Sequence, residues 1–239
     1  MSARDPGPSV AAHVFVDDLD SLDLHPDDDH HLRAVLRLRA GEAVTASDGR
    51  GRWRPCTVSA GGALLEPAGE VVGDPAPSPA LTVGIALTKG DRPEWAVQKL
   101  TECGVDRIVP VASARAVVRW DAAKAARNRD RLARIAREAA MQSRRTWLPE
   151  ILPLTAFADA AAALGPGLAL AERGGRPLSL ATPAVLVGPE GGWADDELAA
   201  GLPTVDLGPH VLRSETASVA AGVLLGSLRA GLVVANDHS

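Results

Sequence analysis

From residue 81 onward, short continuous apolar runs alternate with amphipathic stretches of helical period. LTVGIAL (81–87) and RIVPVAS (107–113) lack the in-out alternation of a half-exposed strand, so they read as strands buried on both faces. Between them RPEWAVQKLTECG (92–104) predicts a helix, with Pro93 in its first turn and Gly104 as its stop. A long Ala/Arg helix is expected from Asp121 to Ser143. LALAERG and PAVLVGPEGG supply further strands, DDELAAG a short helix, TVDLG another strand, and ETASVAAGVLLGSLRAGL a closing helix. The Ala-rich stretch AFADAAAALGPGLALAERGGR reads as a helix and a strand, and no internal repeat is visible. Strand and helix alternating in this way predict an α/β domain with a mostly parallel sheet covered on both faces.

The first 72 residues are patterned differently. EAVTASDGRGRWRPCTVSAGGALLEPAG has short runs broken by DGRG and AGG, which are hairpin signals, so residues 1–72 predict a small β-rich domain. One helix is expected within it, from Pro26 to Leu38, with Leu32, Val35, Leu36 and Leu38 at helical spacing. GDPAPSPA (73–80) carries three prolines and no periodic signal, and reads as a linker to a second domain over 81–239.

Composition narrows the class. The chain has 239 residues, 46% of them hydrophobic, with two Phe, five Trp and no Tyr, so its core must be built of Ala, Val and Leu. Cys56 and Cys103 lie far apart and in no CxxC pattern, which argues against a disulfide framework or a zinc site and fits a reducing cytoplasm. No apolar run resembles a signal peptide or approaches the roughly 20 residues of a membrane helix. Net charge is −5, which alone argues against nucleic acid. Yet residues 115–145 hold ten basic residues against three acidic ones, and a local stripe matters more to a phosphate backbone than the whole-chain sum.

Three stretches carry candidate chemistry. In AVLVGPEGGWADDEL (184–198), Gly188, Pro189, Glu190, Gly191 and Gly192 follow a strand, where ligands of open α/β sheets gather. Neither GxGxxG nor GxxxxGK[ST] is present, and Glu190 opposes a phosphate. The loop suits a ligand that wants backbone groups at close range, such as a purine edge or a ribose; a tight turn without a ligand remains open. LGPHVLRSETAS (207–218) is a second strand end entering a helix, with Ser214 as the expected N-cap. Arg213 before it opposes the helix dipole, which suggests a task beyond the cap, with an ion pair to Glu215 or a surface charge as the alternative. In RIAREAAMQSRR (134–145), Gln142, Ser143, Arg144 and Arg145 gather at a helix end, where they suit a phosphate or a base edge, unless the helix is simply solvated.

Together with HHLRAVLRLRAGEAVTASDGRG, TKGDRPEWAVQKLTECGVDRIVPVASARAV and REAAMQSRRTWLPEI, the pair LVGPEGGW and LGPHVLRSETA resembles the SPOUT methyltransferases. The resemblance is to the family of ribosomal RNA small-subunit methyltransferase E, which makes N3-methyluridine in 16S ribosomal RNA, and it runs through nearly the whole chain. It implies a PUA-like β-barrel domain, a SPOUT-type α/β domain with a deep trefoil knot, a homodimer, and S-adenosylmethionine held by the two loops. Carried over, the cofactor residues are Leu186, Gly188, Pro189, Glu190, Gly191, Gly192, Leu207, Gly208, Val211, Leu212, Arg213, Thr216 and Ala217. Met141 and Ser214 stand where the family commonly has Glu and Thr, and His13 lies where an arginine often precedes the aromatic.

Methyl transfer from a sulfonium needs alignment and exclusion of water. Uracil N3 must also lose a proton, so Arg213 is the candidate to offset charge on the carbonyls, with Glu215 or Glu190 accepting the proton. Candidate RNA contacts are Arg33, Arg37, Arg50, Arg92, Gln142, Ser143, Arg144 and Arg145, with solvated surface the alternative. His30 and His31 beside Asp27–Asp29 invite a metal, but neighbours on a helix point apart, so no metal is expected. A non-catalytic RNA-binding or ribosome-assembly protein that keeps the fold is the competing function. A nucleotide-dependent oxidoreductase is disfavoured by the missing dinucleotide fingerprint.

Overall fold

A computed structural model describes residues 10–25, 28, 32, 37–60 and 65–234. The chain divides into two compact units, Met1–Ala76 with Ala140–Leu148, and Pro77–Ala139 with Pro149–Ser239.

In the first unit β1 (Ala12–Phe15), β2 (Ala43–Ser47), β3 (Arg52–Val58), β4 (Leu65–Pro67) and β5 (Val72–Gly73) form one sheet. β2 and β3 are the hairpin that DGRG announces: Asp48 Oδ1 accepts from the amides of Arg50 (2.8 Å) and Arg52 (3.1 Å) and closes the turn. β3 pairs antiparallel with β4 and β5, while β1 lies parallel to β2, a pairing that local turn signals do not reveal. Val14, Val44, Ala46 and Cys56 close the core with Leu19 and Leu22 from the β1–β2 connection. The helix expected at Pro26–Leu38, with Arg33, His30 and His31, falls largely outside the described residues.

The segment 140–148 belongs to this unit through specific bonds. The Gly51 amide donates to Thr146 O at 2.9 Å, Ser47 Oγ to the same carbonyl at 3.1 Å, and Thr146 Oγ1 to Asp74 at 2.7 Å. Gly51 has φ +88°, and a Cβ there would lie 2.4 Å from the Trp147 indole. The second glycine of DGRG therefore serves the contact with Trp147 as well as the turn.

The second unit follows the expected order of strands and helices, except that two short strands after its long helix, Glu150–Ile151 and Thr155–Ala156, carry no signal in the sequence. It contains β6 (Thr82–Ala86), α1 (Arg92–Glu102), β7 (Arg107–Ala112), α2 (Ala122–Gln142), β8 (Glu150–Ile151), β9 (Thr155–Ala156), α3 (Phe157–Leu164), β10 (Leu168–Pro177), β11 (Ala184–Val187), α4 (Asp195–Leu198), β12 (Thr204–Asp206) and α5 (Ser214–Arg229). The last residues of α2 pass into the first unit. Strand order is β12-β10-β11-β6-β7-β8, with β9 also on β7, and every pairing is parallel. The apolar runs at 82–86 and 184–187 are buried at every position. β10 is longer than LALAERG suggests, and its register on β12 shifts between Ala171 and Arg176, which leaves Glu172–Gly175 as a bulge before Arg176 and Pro177 pair again. Arg229 ties the end of α5 down by an ion pair with Asp106 and a 2.6 Å bond to Gly104 O.

Candidate functional site

The ends of β10, β11 and β12 lie side by side, and the segments leaving them enclose a cavity of about 200 Å³. Each wall has a local reason for its shape.

The GPEGG wall turns on itself, with the Gly192 amide donating to Pro189 O at 2.9 Å and Gly192 at φ +69°, a conformation that favours glycine. Gly188 packs under Trp193, whose ring a Cβ would meet at 3.2 Å. Trp193 is buried on Phe157, with centroids 5.4 Å apart, and its Nε1 donates to Ala171 O at 3.2 Å. Arg115 Nη1 donates to Trp193 O at 2.8 Å, and its Nη2 reaches Asp195 at 3.0 Å. The buried Glu197 carboxylate accepts from the amides of Ala194 and Ala114, both at 2.8 Å. So rigid a support exceeds what a simple connection needs.

The opposite wall is Leu207–Leu212. Asp206 accepts from the Gly208 amide (3.0 Å) and the Gly174 amide (2.9 Å), and these donors hold its carboxyl below the usual range. At the start of α5 the structure corrects one expectation. Arg213, not Ser214, occupies the N-cap position and caps nothing with its side chain. Ser214 Oγ instead donates to Gly188 O at 2.8 Å, so one hydroxyl joins the two loops that the sequence singled out.

Of the expected cofactor residues, Gly188, Pro189, Glu190, Gly192, Leu207, Gly208, Val211, Leu212 and Ala217 line this cavity. Leu186 is fully buried in the core beneath it. Gly191, Arg213 and Thr216 are exposed beside it and do not line it. The lining also includes Ala171, Glu172, Arg173, Val187, Trp193, Asp206, His210 and Ser214, which motif reading missed. Asp206 ends β12, and that position at a carboxyl strand end is the signal that could have found it, whereas Ala171–Arg173 lie at the β10 bulge, which no local pattern announces.

Arg92, expected as an RNA contact, lies between the two carboxylates that the sequence could not separate. Its Nη1 donates to Glu190, and its Nε stands 3.7 Å from Glu215 Oε1. Glu190 is half-exposed, whereas the Glu215 side chain is 15% exposed and its Oε2 is buried without a hydrogen-bond partner among the described residues.

In the first unit Arg37 and Arg50 are exposed, and Arg50 bridges to Trp147. Gln142 is exposed, and Ser143, Arg144 and Arg145 are half-buried after α2. Arg144 Nη2 donates to Val10 O at 2.7 Å, and the Arg145 carbonyl accepts from His13 Nε2 at 3.0 Å. His13 Nδ1 pairs with Thr45 Oγ1 at 2.7 Å. Burial, with the Arg144 charge in support, pushes the His13 imidazole down to about 4 despite that carbonyl bond. His13 therefore positions the 144–146 segment as a neutral ring. Arg33 lies outside the described residues.

Among the described residues there is no group of three His, Cys, Asp or Glu placed to hold a metal, and no helix long and apolar enough to cross a membrane.

Comparison with known proteins gives this geometry relatives. Residues 75–226 match the profile of an RNA methyltransferase domain, and residues 26–64 that of an RNA methyltransferase PUA domain. Ribosomal RNA small subunit methyltransferase E of Mycobacterium bovis is 35% identical over 221 residues, spanning 84% of this chain and 83% of the relative. The enzyme of the same name from Neisseria gonorrhoeae, solved bound to S-adenosylmethionine, is 30% identical with a TM-score of 0.73, over 91% of this chain and 97% of that one. A Legionella pneumophila structure, also solved with S-adenosylmethionine, is 26% identical with a TM-score of 0.77, over 90% and 96%.

Proposed function

The chain belongs to the family of ribosomal RNA small-subunit methyltransferase E, and on that premise we propose that it methylates N3 of one uridine in the 16S ribosomal RNA of the small subunit, using S-adenosylmethionine held in the cavity at the ends of β10, β11 and β12. The fold is that of a SPOUT-type α/β domain with a parallel sheet, preceded by a PUA-like domain. The observation that carries the proposal is the 2.8 Å bond from Ser214 to Gly188, which makes one pocket of the two motif loops.

The lining suits that cofactor. Val187, Leu207, Leu212 and Ala217 offer apolar walls to an adenosine, and backbone groups at Gly188–Gly192 and Leu207–Leu212 are at hand for its polar edges. Glu172, Glu190 and Asp206 outnumber Arg173, a balance that suits a ligand carrying a sulfonium and an ammonium and disfavours a phosphate. Bound there, S-adenosylmethionine supplies an electrophilic methyl group.

The remaining chemistry falls to the chain. The walls exclude water and hold the approach in line. Uracil N3 carries a proton that must leave, and Glu215 is the better acceptor of the two carboxylates: its Oε2 is buried without a partner, while Glu190 is committed to Arg92. Arg92 holds Glu215 from the Oε1 side. To Arg213, exposed at the start of α5, we assign the offsetting of charge that develops on the uracil carbonyls. RNA is engaged by Arg37, Arg50 and the Gln142–Arg145 segment. Exposed Val223, Leu232, Val233 and Val234 support a homodimer, which light scattering would test, and the function belongs in the cytoplasm.

The test separates the carboxylates. Glu215→Gln should lower kcat for methyl transfer about 10²–10⁴-fold, in line with loss of a general base, with S-adenosylmethionine affinity retained. Glu190→Gln should leave kcat within about tenfold. Equal losses in both variants would refute the assignment of Glu215.

A further inference from the structure

A second cavity, of about 320 Å³, opens beside the first turn of α1 and differs from the cofactor cleft in its charge. Lys89, Lys124 and Arg131 bring three positive charges to its lining, Trp120 an aromatic face, and Asn128 an amide. Its single carboxylate, Glu94, binds Arg131 at 3.3 Å through Oε1. The other oxygen, Oε2, is buried and has no hydrogen-bond partner among the described residues. The first cavity has an acidic balance; this one has a basic balance.

These groups fit the parts of one nucleotide. Cations from the loop after β6 and from α2 suit a phosphate. The half-buried Trp120 offers a surface on which any base can stack. Asn128 can donate to and accept from a base edge, and Glu94 Oε2 wants a donor such as a base N–H or a ribose 2′-hydroxyl. A volume of about 320 Å³ is at the small end for a ligand pocket, which suits a single nucleotide and not a helix.

Position supplies the connection to the proposed reaction. Arg92, the first residue of α1, binds Glu190 in the lining of the cofactor cleft, and Pro93 and Glu94, one and two residues on, line the second cavity. The two sites therefore meet at one helical turn.

We propose that this second cavity is a subsite for an unstacked ribonucleotide flanking the methylated one in the RNA substrate, with its base on Trp120 and its phosphate on Lys89, Lys124 and Arg131. The identity of the ligand as substrate rests on the methyltransferase reading; the affinity for single-stranded RNA does not.

The test uses the full chain, S-adenosylmethionine by calorimetry and a short single-stranded RNA by fluorescence anisotropy across a salt series. Lys89→Ala combined with Lys124→Ala, both exposed positions, should weaken RNA binding about tenfold at low salt and flatten the log–log salt slope by about one to two. Trp120→Ala should weaken it about 5- to 150-fold with the slope unchanged, as loss of one stacked base requires. Both variants should bind S-adenosylmethionine as the parent does, which also shows that the domain is folded. RNA affinity unchanged in both variants, with cofactor binding intact, would overturn the subsite while leaving the methyltransferase reading in place. If the parent binds no S-adenosylmethionine but the variants lose RNA, the enzymatic reading falls and the subsite stands as an RNA site.

Discussion

His13 makes the first unit acid-sensitive in a defined window. The ring is buried, donates from Nε2 to Arg145 O and pairs with Thr45 through Nδ1, and it titrates at about 4 in place of the usual 6.5. In that interval the unfolded chain binds a proton that the folded chain refuses, so stability falls as pH drops below about 6.5 and the effect is complete near 4. At 1.36 kcal/mol per pH unit, the drop from 6.5 to about 4 amounts to about 3 kcal/mol, a large share of the roughly 5–15 kcal/mol that holds a domain together. The Arg144 charge opposes protonation of the ring, and the hydrogen bond to the neutral Arg145 carbonyl favours it. Urea unfolding at pH 7.5, 6, 5 and 4.5, followed by Trp53 and Trp147 fluorescence in this unit, would measure the loss. His13→Leu removes the bonds to Thr45 Oγ1 and to the Arg145 carbonyl and should cost about 1–3 kcal/mol at pH 7.5. Carboxylates titrate in both proteins, so the difference between parent and variant isolates the imidazole: it should shift by about 2–3 kcal/mol in the variant's favour between pH 7 and 4.5, enough to cancel or reverse the deficit. A gap that stays constant with pH would refute the assignment of His13 as a buried neutral ring.

Three further outcomes follow from named contacts. Ser214→Ala removes the hydroxyl that joins the two cofactor loops, and should weaken S-adenosylmethionine binding about fivefold, or about 1 kcal/mol, in calorimetry; unchanged affinity would show that the bond does not shape the pocket. Gly51→Ala drives a Cβ into Trp147 at a left-handed φ and should cost about 2–4 kcal/mol, seen as a lower Tm by tryptophan fluorescence, with an unshifted Tm contradicting that packing. Replacing Arg144 and Arg145 together should weaken RNA binding and reduce its log–log salt slope by about two, and an unchanged slope would return the segment to a purely structural role.

The alternation of buried runs and amphipathic stretches orders the strands and helices of the second unit apart from β8 and β9, two-residue strands too short to leave a pattern. Strands buried on both faces have to be continuously apolar, and parallel strands need helical crossovers. Less was legible where partners are distant in sequence. The parallel pairing of β1 with β2 and the return of residues 140–148 to the N-terminal sheet are joined by bonds spanning up to 134 residues, which no local pattern encodes. The same limit shaped the site. The GPEGG loop was visible because glycine and proline mark backbone geometry locally. Arg115 and Glu197, which brace it, and Arg92, which reaches Glu190 across 98 residues, carry no such mark. Ser214 shows the limit most plainly: its type suited an N-cap, but its hydroxyl serves a carbonyl 26 residues away.

The central claim is that the cleft at the ends of β10, β11 and β12 holds S-adenosylmethionine for transfer of its methyl group to uridine N3. Incubating the protein with methyl-labelled S-adenosylmethionine and small ribosomal subunits lacking the modification, then mapping the 16S ribosomal RNA by mass spectrometry, tests it directly. The account predicts label at one N3-methyluridine, abolished by Gly188→Val in the cleft wall. Label on any other atom, or none despite intact RNA binding, would contradict it.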